Sequence, residues 1–253
     1  MPFKEWPCYF AGMSKQQKGG TRSALHYIIE FAVILLGISI SVYIEKNNAR
    51  EYKENIKNQS LERILSNIQS DRIDFEFNIA VHEPAAESCK WLFDQKHNME
   101  GANPDSVGKH CAMCIMGQTI FVDNQEEYRT LQNSGLMELI ENDKLARALQ
   151  DKYVQHGFMR KIETYVQETA NTEHDTYYSR METPDEMEAF MGYIKLRRWN
   201  GKPLSPRFLE RMSDIGFFHS EYCVNMRKRK EQDVQLTTWI REEIGETAPR
   251  ADQ

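Results

Sequence analysis

The chain reads as an all-α protein: a single N-terminal transmembrane helix that continues into a helical stalk and a helical bundle domain. Three observations predict this. Residues 24–44 are apolar at nearly every position. Downstream, apolar residues recur at spacings of three, four and seven, the period of one helix face. Alternating β-branched runs with hairpin turns, the mark of strands, are nearly absent.

The elements follow in order. Residues 1–23 hold Pro2, Pro7, Gly12, Gly19 and Gly20 among polar residues, the composition of a disordered tail. Ala24 to Ile44 is 21 residues long, about what a helix rising ~1.5 Å per residue needs to cross a bilayer core. A signal peptide has a shorter apolar region, about 7–15 residues. Ser39-Ile-Ser41 offers a poor cleavage site, but the length and the helical pattern beyond Ile44 favour an uncleaved anchor. Lys4, Lys15, Lys18 and Arg22 before the span nearly balance Lys46, Arg50, Lys53 and Lys57 after it. Glu5 is the one acid in the tail, which tips the orientation towards N-terminus inside and domain outside.

Residues 45–80 read as the stalk, with Leu61, Ile64, Leu65, Ile68, Phe75 and Ile79 on one face. Residues 81–246 read as the bundle and 247–253 as a C-terminal tail. Pro84 and the Gly101-Ala-Asn-Pro104 stretch bracket a short helix with Trp91, Leu92 and Phe93. Asn124 and Glu127 have capping-box spacing for the next helix, which Ser134-Gly135 closes. Asn142 or Asp143 opens a longer one, with Leu145, Leu149, Val154, Phe158, Ile162, Tyr165 and Val166 spaced along it to about Ala170. Thr183-Pro184-Asp185-Glu186 and Ser205-Pro206 are cap-plus-proline starts. A last helix over about 219–246 carries Tyr222, Met226, Val234, Ile240 and Ile244.

Across the chain 32 Lys and Arg stand against 38 Asp and Glu, a net charge of −6. With four of the basic residues in the tail, the domain is more acidic still. It lacks the basic footprint that nonspecific nucleic-acid binding needs, so no nucleic-acid partner is expected.

Two separated stretches carry a family resemblance. One is Tyr27-Ile-Ile-Glu30 followed by Leu35-Leu-Gly37-Ile-Ser-Ile40. The other is Tyr128-Arg-Thr-Leu131-Gln-Asn-Ser134-Gly135, continuing through Ile140, Asn142, Leu145 and Tyr153. Together they resemble a domain-of-unknown-function family of small bacterial single-span membrane proteins, with a Glu-containing span and a Tyr-x-x-Leu-x-x-Ser-Gly helical segment. The likeness covers about residues 22–170. The chain departs from the pattern in lacking a small residue before Glu30 and a tryptophan soon after the span. The resemblance implies a membrane-anchored helical protein of the bacterial inner (cytoplasmic) membrane and no known activity.

Glu30 is the first chemical lead. A carboxylate costs about 2.5–3.5 kcal/mol at the centre of a span and less near its end. His26, Glu30, Gly37 and Ser41 share one helix face, and small and polar residues on one stripe are how spans associate. The alternative is an interfacial glutamate reaching to water. The cysteines are the second lead. Cys89, Cys111, Cys114 and Cys223 could form two disulfides in an oxidising compartment. Cys111-Ala-Met-Cys114 could instead serve a thiol or zinc site, or all four could be ordinary buried thiols.

His82-Glu83 begins like a zinc-protease motif, but Ala86 stands where its second histidine belongs. Glu173-His174-Asp175 point about 100° apart on a helix and cannot share one ion. Arg227-Lys-Arg-Lys230 reads as a solvated face, explained in part by pairing along its own helix with Glu231 and Gln232; the alternative is contact with anionic lipid or nucleic acid if the domain is cytoplasmic. No catalytic, cofactor-binding or metal-ligating set emerges. The reading is a noncatalytic, self-associating interaction module whose partners are the lipid bilayer, its own copies and a partner protein. The alternatives are a thiol or metal enzyme using Cys111 and Cys114, and an oligomeric membrane effector with Glu30 lining a pore.

Overall fold

The computed structural model describes residues 24–182, 189–190 and 194–245. The tail over 1–23, the tail over 247–253 and the Thr183-Pro184 start signal lie outside the described residues. The described residues form five α-helices: α1 (Ala24–Asp94), α2 (Pro104–Met116), α3 (Glu126–Asn133), α4 (Asp143–Arg180) and α5 (Pro206–Glu243). Two antiparallel pairs of two-residue strands lie between α4 and α5, one joining Met181 and Glu182 to Trp199 and Arg198.

The chain divides into two units, residues 1–52 and 53–253. The first contains the apolar segment. Every large hydrophobic residue from Leu25 to Ile44 that the structure describes is exposed, Leu36 and Val33 at 62 %. Among the described residues one helix is long and apolar enough to cross a membrane, and it is this one, near the N-terminus.

The second unit is a bundle of α4, α5 and the later part of α1. Residues 53–80 belong to this bundle and do not form a separate stalk, because Leu61, Ile64 and Phe75 are fully buried in its core. The short helix around Trp91 is likewise the end of α1, which runs through Pro84. A proline inside a helix costs about 3 kcal/mol. Burial of Val81, Ala85, Cys89 and Leu92 on either side offsets that cost.

Asn103 and Pro104 start α2, a helix the sequence reading did not assign: Asn103 Oδ1 accepts from Asp105 N at 2.8 Å and Ser106 N at 3.3 Å. Asn142 caps α4 through Lys144 N and Leu145 N, and Ser205 caps α5 through Phe208 N. The helix expected from Asn124 begins at Glu126, so Glu127 falls outside the capping box and pairs with Arg63 at 2.9 Å. Gly135 follows α3 with a φ of 72°, a conformation glycine adopts without strain.

Two apolar clusters fill the bundle. One gathers Leu61, Ile64 and Ile68 of α1 with Leu131, Leu145, Leu149, Leu236 and Ile240. The other gathers Phe75 and Leu92 of α1 with Met159, Ile162, Phe208, Met212 and Met226. The order in which the helices pass the clusters shows that α1 and α4 run the same way and α5 runs back. Residues 117–125, without regular secondary structure, connect α2, at the second cluster, to α3, at the first. Gly216 lets α5 approach closely, since a Cβ there would lie 2.7 Å from the Cβ of Cys89.

Candidate functional site: a buried polar layer

The inward stripe of each long helix is interrupted by charge. On α1 the buried series runs Ile68, Asp71, Phe75, Asn78, His82; on α4 it runs Leu149, Lys152, Tyr153, His156, Met159; on α5 it runs Met226, Arg229, Asp233, Leu236. Val154, Phe158 and Val234, placed on the inward face by the sequence reading, point outward and are 62 %, 47 % and 54 % exposed. Helical period sets which positions face inward, and polar side chains occupy several of them.

These groups meet between the two apolar clusters. Lys152 Nζ donates to both carboxylate oxygens of Asp233 at 3.0 Å. It also makes an ionic contact of 2.8 Å, off the hydrogen-bond direction, with Asp71 Oδ2. The three side chains are almost wholly buried. Burial drives the Asp71 carboxyl above the ordinary carboxylate range, and Lys152 offsets only part of that rise.

Beside this triad, His156 Nδ1 lies 2.7 Å from Asp123 Oδ1, and Asp123 Oδ2 is held by Arg160 and Gln125. Burial opposes the charge on Asp123, yet His156, Gln125 and Arg160 together hold its carboxyl below the usual range. His156 Nε2 is buried with no partner. An Asp-oriented imidazole with a free second nitrogen resembles half of a nucleophilic relay. Here the ring is fully buried against Phe75, Phe121 and Tyr153.

A second string of polar groups runs along the Phe75 cluster and fastens the segment over 117–125. His82 Nε2 lies 3.0 Å from Thr119 N and 3.2 Å from Thr119 O. Thr119 Oγ1 donates to Asn78 Oδ1 at 2.6 Å. Glu163 Oε1 accepts from Phe121 N at 2.8 Å and from the Tyr222 hydroxyl, and Asp74 Oδ2 accepts from Val122 N at 2.9 Å. His82 Nδ1 is 2.8 Å from His219 Nδ1. One proton between the two nitrogens serves this contact, and neither ring needs a charge for it. Burial pushes the His82 pKa down to about 4 and that of His219, with His82 as a further cause, down to about 3.

The remaining sequence leads fall as follows. Cys89 and Cys114 form a disulfide with a Cα–Cα distance of 5.1 Å. Cys111 and Cys223 are buried thiols, so the expected scheme of two bridges reduces to one. Cys114 therefore bonds to Cys89 and is not the partner of Cys111. Burial raises the Cys111 pKa strongly and that of Cys223 to about 11, the reverse of a reactive thiolate. Among the described residues no three His, Cys, Asp or Glu side chains group as metal ligands.

His26 Nε2 and Glu30 Oε1 are 3.3 Å apart on one helix. Gly37, with open space where a Cβ would be, and Ser41 follow them along α1. The basic run pairs between helices, not along α5: Arg227 with Glu83 at 2.7 Å, Arg229 with Asp151 at 2.8 Å and Lys230 with Glu76 at 2.5 Å. Arg229 is buried. Glu173 pairs with Arg211, apart from any metal chemistry.

No protein-family model, curated protein or solved structure matches this chain. The site is a set of ion pairs and hydrogen bonds between helices, most of them buried. Asp71, Lys152, His156 and Asp233 escaped the sequence reading, and Arg229, read as part of a solvated face, is buried. The signal that could have found them is a charged residue recurring where the apolar stripe demands an inward position.

Proposed function

We propose that this chain is a single-span membrane protein of the bacterial inner membrane, with its helical domain on the oxidising side. There it acts as a noncatalytic module that associates with its own copies and with a protein partner. The observation that carries this reading is the wholly exposed apolar helix over 24–44. A continuous apolar surface of that length needs lipid around it, and a soluble monomer does not leave one uncovered.

The Cys89–Cys114 disulfide supports the placement of the domain, since such bonds persist in oxidising compartments and are rare in the cytosol. The polar layer supports a noncatalytic domain, because Asp71, Lys152 and Asp233 have one another as partners and are almost wholly buried. The stripe of His26, Glu30, Gly37 and Ser41 supports self-association through the span. Membership of the single-span family resembled by the two motifs is part of the same proposal.

Alkaline extraction of membranes, with mass spectrometry of the N-terminus, tests the anchor. The expected result is an unprocessed chain that stays with the membrane; a chain cut near Ser41 and released overturns it. Labelling a C-terminal cysteine with an impermeant thiol reagent in intact cells tests the side. Replacing Glu30 with Leu should reduce oligomer size in detergent, and an unchanged size removes the role given to that stripe.

A further inference from the structure

The middle of the connection over 117–125 is tied down by side chains. Among the described residues, no backbone–backbone hydrogen bond reaches residues 119–124. Thr119 is held by His82 and Asn78, Val122 N by Asp74 and Asn124 by Asn67, all of α1. Phe121 N is held by Glu163, and the Asp123 carboxylate by His156 and Arg160, all of α4. The segment is thus a strap across α1 and α4, and it presses the buried Phe121 ring inward against Phe75 and His156. Local opening starts where the fewest contacts hold the chain, and here those contacts are side chains that titrate.

At one end of the strap, His82 meets the Thr119 backbone on one side and His219 of α5 on the other, with 2.8 Å between the two Nδ1 atoms. A proton on each of those nitrogens would set two N–H groups head to head, so a doubly charged pair must part. The other neighbours are the Tyr222 ring of α5, 4.4 Å from that of His82, and the Cys114 backbone of α2. Among the described residues no carboxylate pairs with either ring. Glu83, next to His82, pairs with Arg227, and Glu163 of α4 takes the Tyr222 hydroxyl. We propose that His82 and His219 form an acid-operated catch: in acid the rings part, and the strap, tied to His82 through Thr119, comes away and uncovers Phe121 and Phe75.

The sign follows from where each group titrates. Covered, His82 titrates near 4, and in water near 6.5, so opening takes up a proton between these values and acid favours it. Glu163 works against the catch, since burial raises its carboxyl and opening releases that proton. Linkage at His82 alone gives about 20-fold more opening at pH 5 than at pH 7.

Hydrogen exchange of the full chain in detergent micelles tests this, read by mass spectrometry and corrected for the pH dependence of the intrinsic rate. Protection over 119–122 should fall at least threefold between pH 7 and pH 5, and at pH 5 it should lie at least tenfold below that over 145–153 of α4. In Glu163→Gln, which keeps an acceptor for Phe121 N but not the opposing titration, the fall should reach at least tenfold. His82→Gln should abolish it. A smaller fall in the wild type or in Glu163→Gln, equal protection of the two segments at pH 5, or a fall that persists in a folded His82→Gln overturns the proposal. The wild-type and Glu163→Gln profiles decide even if His82→Gln does not fold.

Discussion

The Asp71–Lys152–Asp233 triad and the His82–His219 pair are both buried polar clusters of the same bundle, yet they depend on opposite states of charge. The triad holds only while Lys152 is charged between two carboxylates. The histidine pair sits where burial favours neutral rings, and one proton serves the contact between the two Nδ1 atoms. The first is a matter of pairing charge, the second of avoiding it. Burial alone therefore does not tell how a polar group is accommodated; the partner atoms do.

The most disruptive way to probe this contrast is Lys152→Met, which leaves two buried carboxylates facing each other. Removing one partner of a buried ion pair costs about 3–5 kcal/mol, so urea unfolding of the domain should lose stability on that scale. Replacing the whole triad (Asp71→Leu, Lys152→Met, Asp233→Leu) should recover most of it, since apolar replacements of buried ion pairs are often neutral or stabilising. A triple variant as unstable as the single one would show that the triad does more than balance its own charges.

Next in size is the acid response of the histidines. In the unfolded chain both titrate near 6.5, and in the fold near 4 and 3. Between these values the unfolded state binds more protons, so stability is full above about pH 6.5 and falls as the pH drops towards 4. Denaturation midpoints against pH should show that fall, and His219→Phe should flatten it. A wild-type profile that is level from pH 6.5 to 4 would break the contrast with the triad.

The disulfide lies beside the histidine region and contributes by restricting the unfolded chain. Its two cysteines are 25 residues apart, for which the loop-closure relation gives about 3.5 kcal/mol. Cys89→Ser with Cys114→Ser should lower the thermal midpoint in proportion and leave the His82 acid response in place. The smallest effect is expected at the surface. Lys230→Ala removes a surface pair with Glu76, the kind of pair that contributes little to stability, and its unfolding midpoint should barely move.

Much of the fold was legible in local signals. The long apolar helix followed from an unbroken apolar run, α4 from Asn142 and the start of α5 from Ser205-Pro206. The separate last helix expected over about 219–246 is instead the second half of α5, which runs unbroken from Pro206 to Glu243. Caps act over three or four residues, so they survive in the sequence. The end of α1 was misjudged because Pro84 is a strong local breaker whose cost is offset by burial of Ala85 and Cys89. The candidate site was misjudged for a related reason. Val154 and Phe158 look like core residues by type, while Lys152 and His156 look like surface ones. Their real positions depend on partners far along the chain, Asp71 and Asp233 for Lys152 and Asp123 for His156.

The sequence by itself determined the helical class, the length and apolarity of the first segment, and the starts of the last two long helices, because chain-local sterics and hydrogen bonding decide those. Tertiary structure alone decided that Cys114 joins Cys89 and that residues 53–80 are core. It alone brought Lys152 between two aspartates and paired His82 with His219. Each of those outcomes requires residues from separate helices to meet, and the free energy of their meeting is written in no single stretch of the chain.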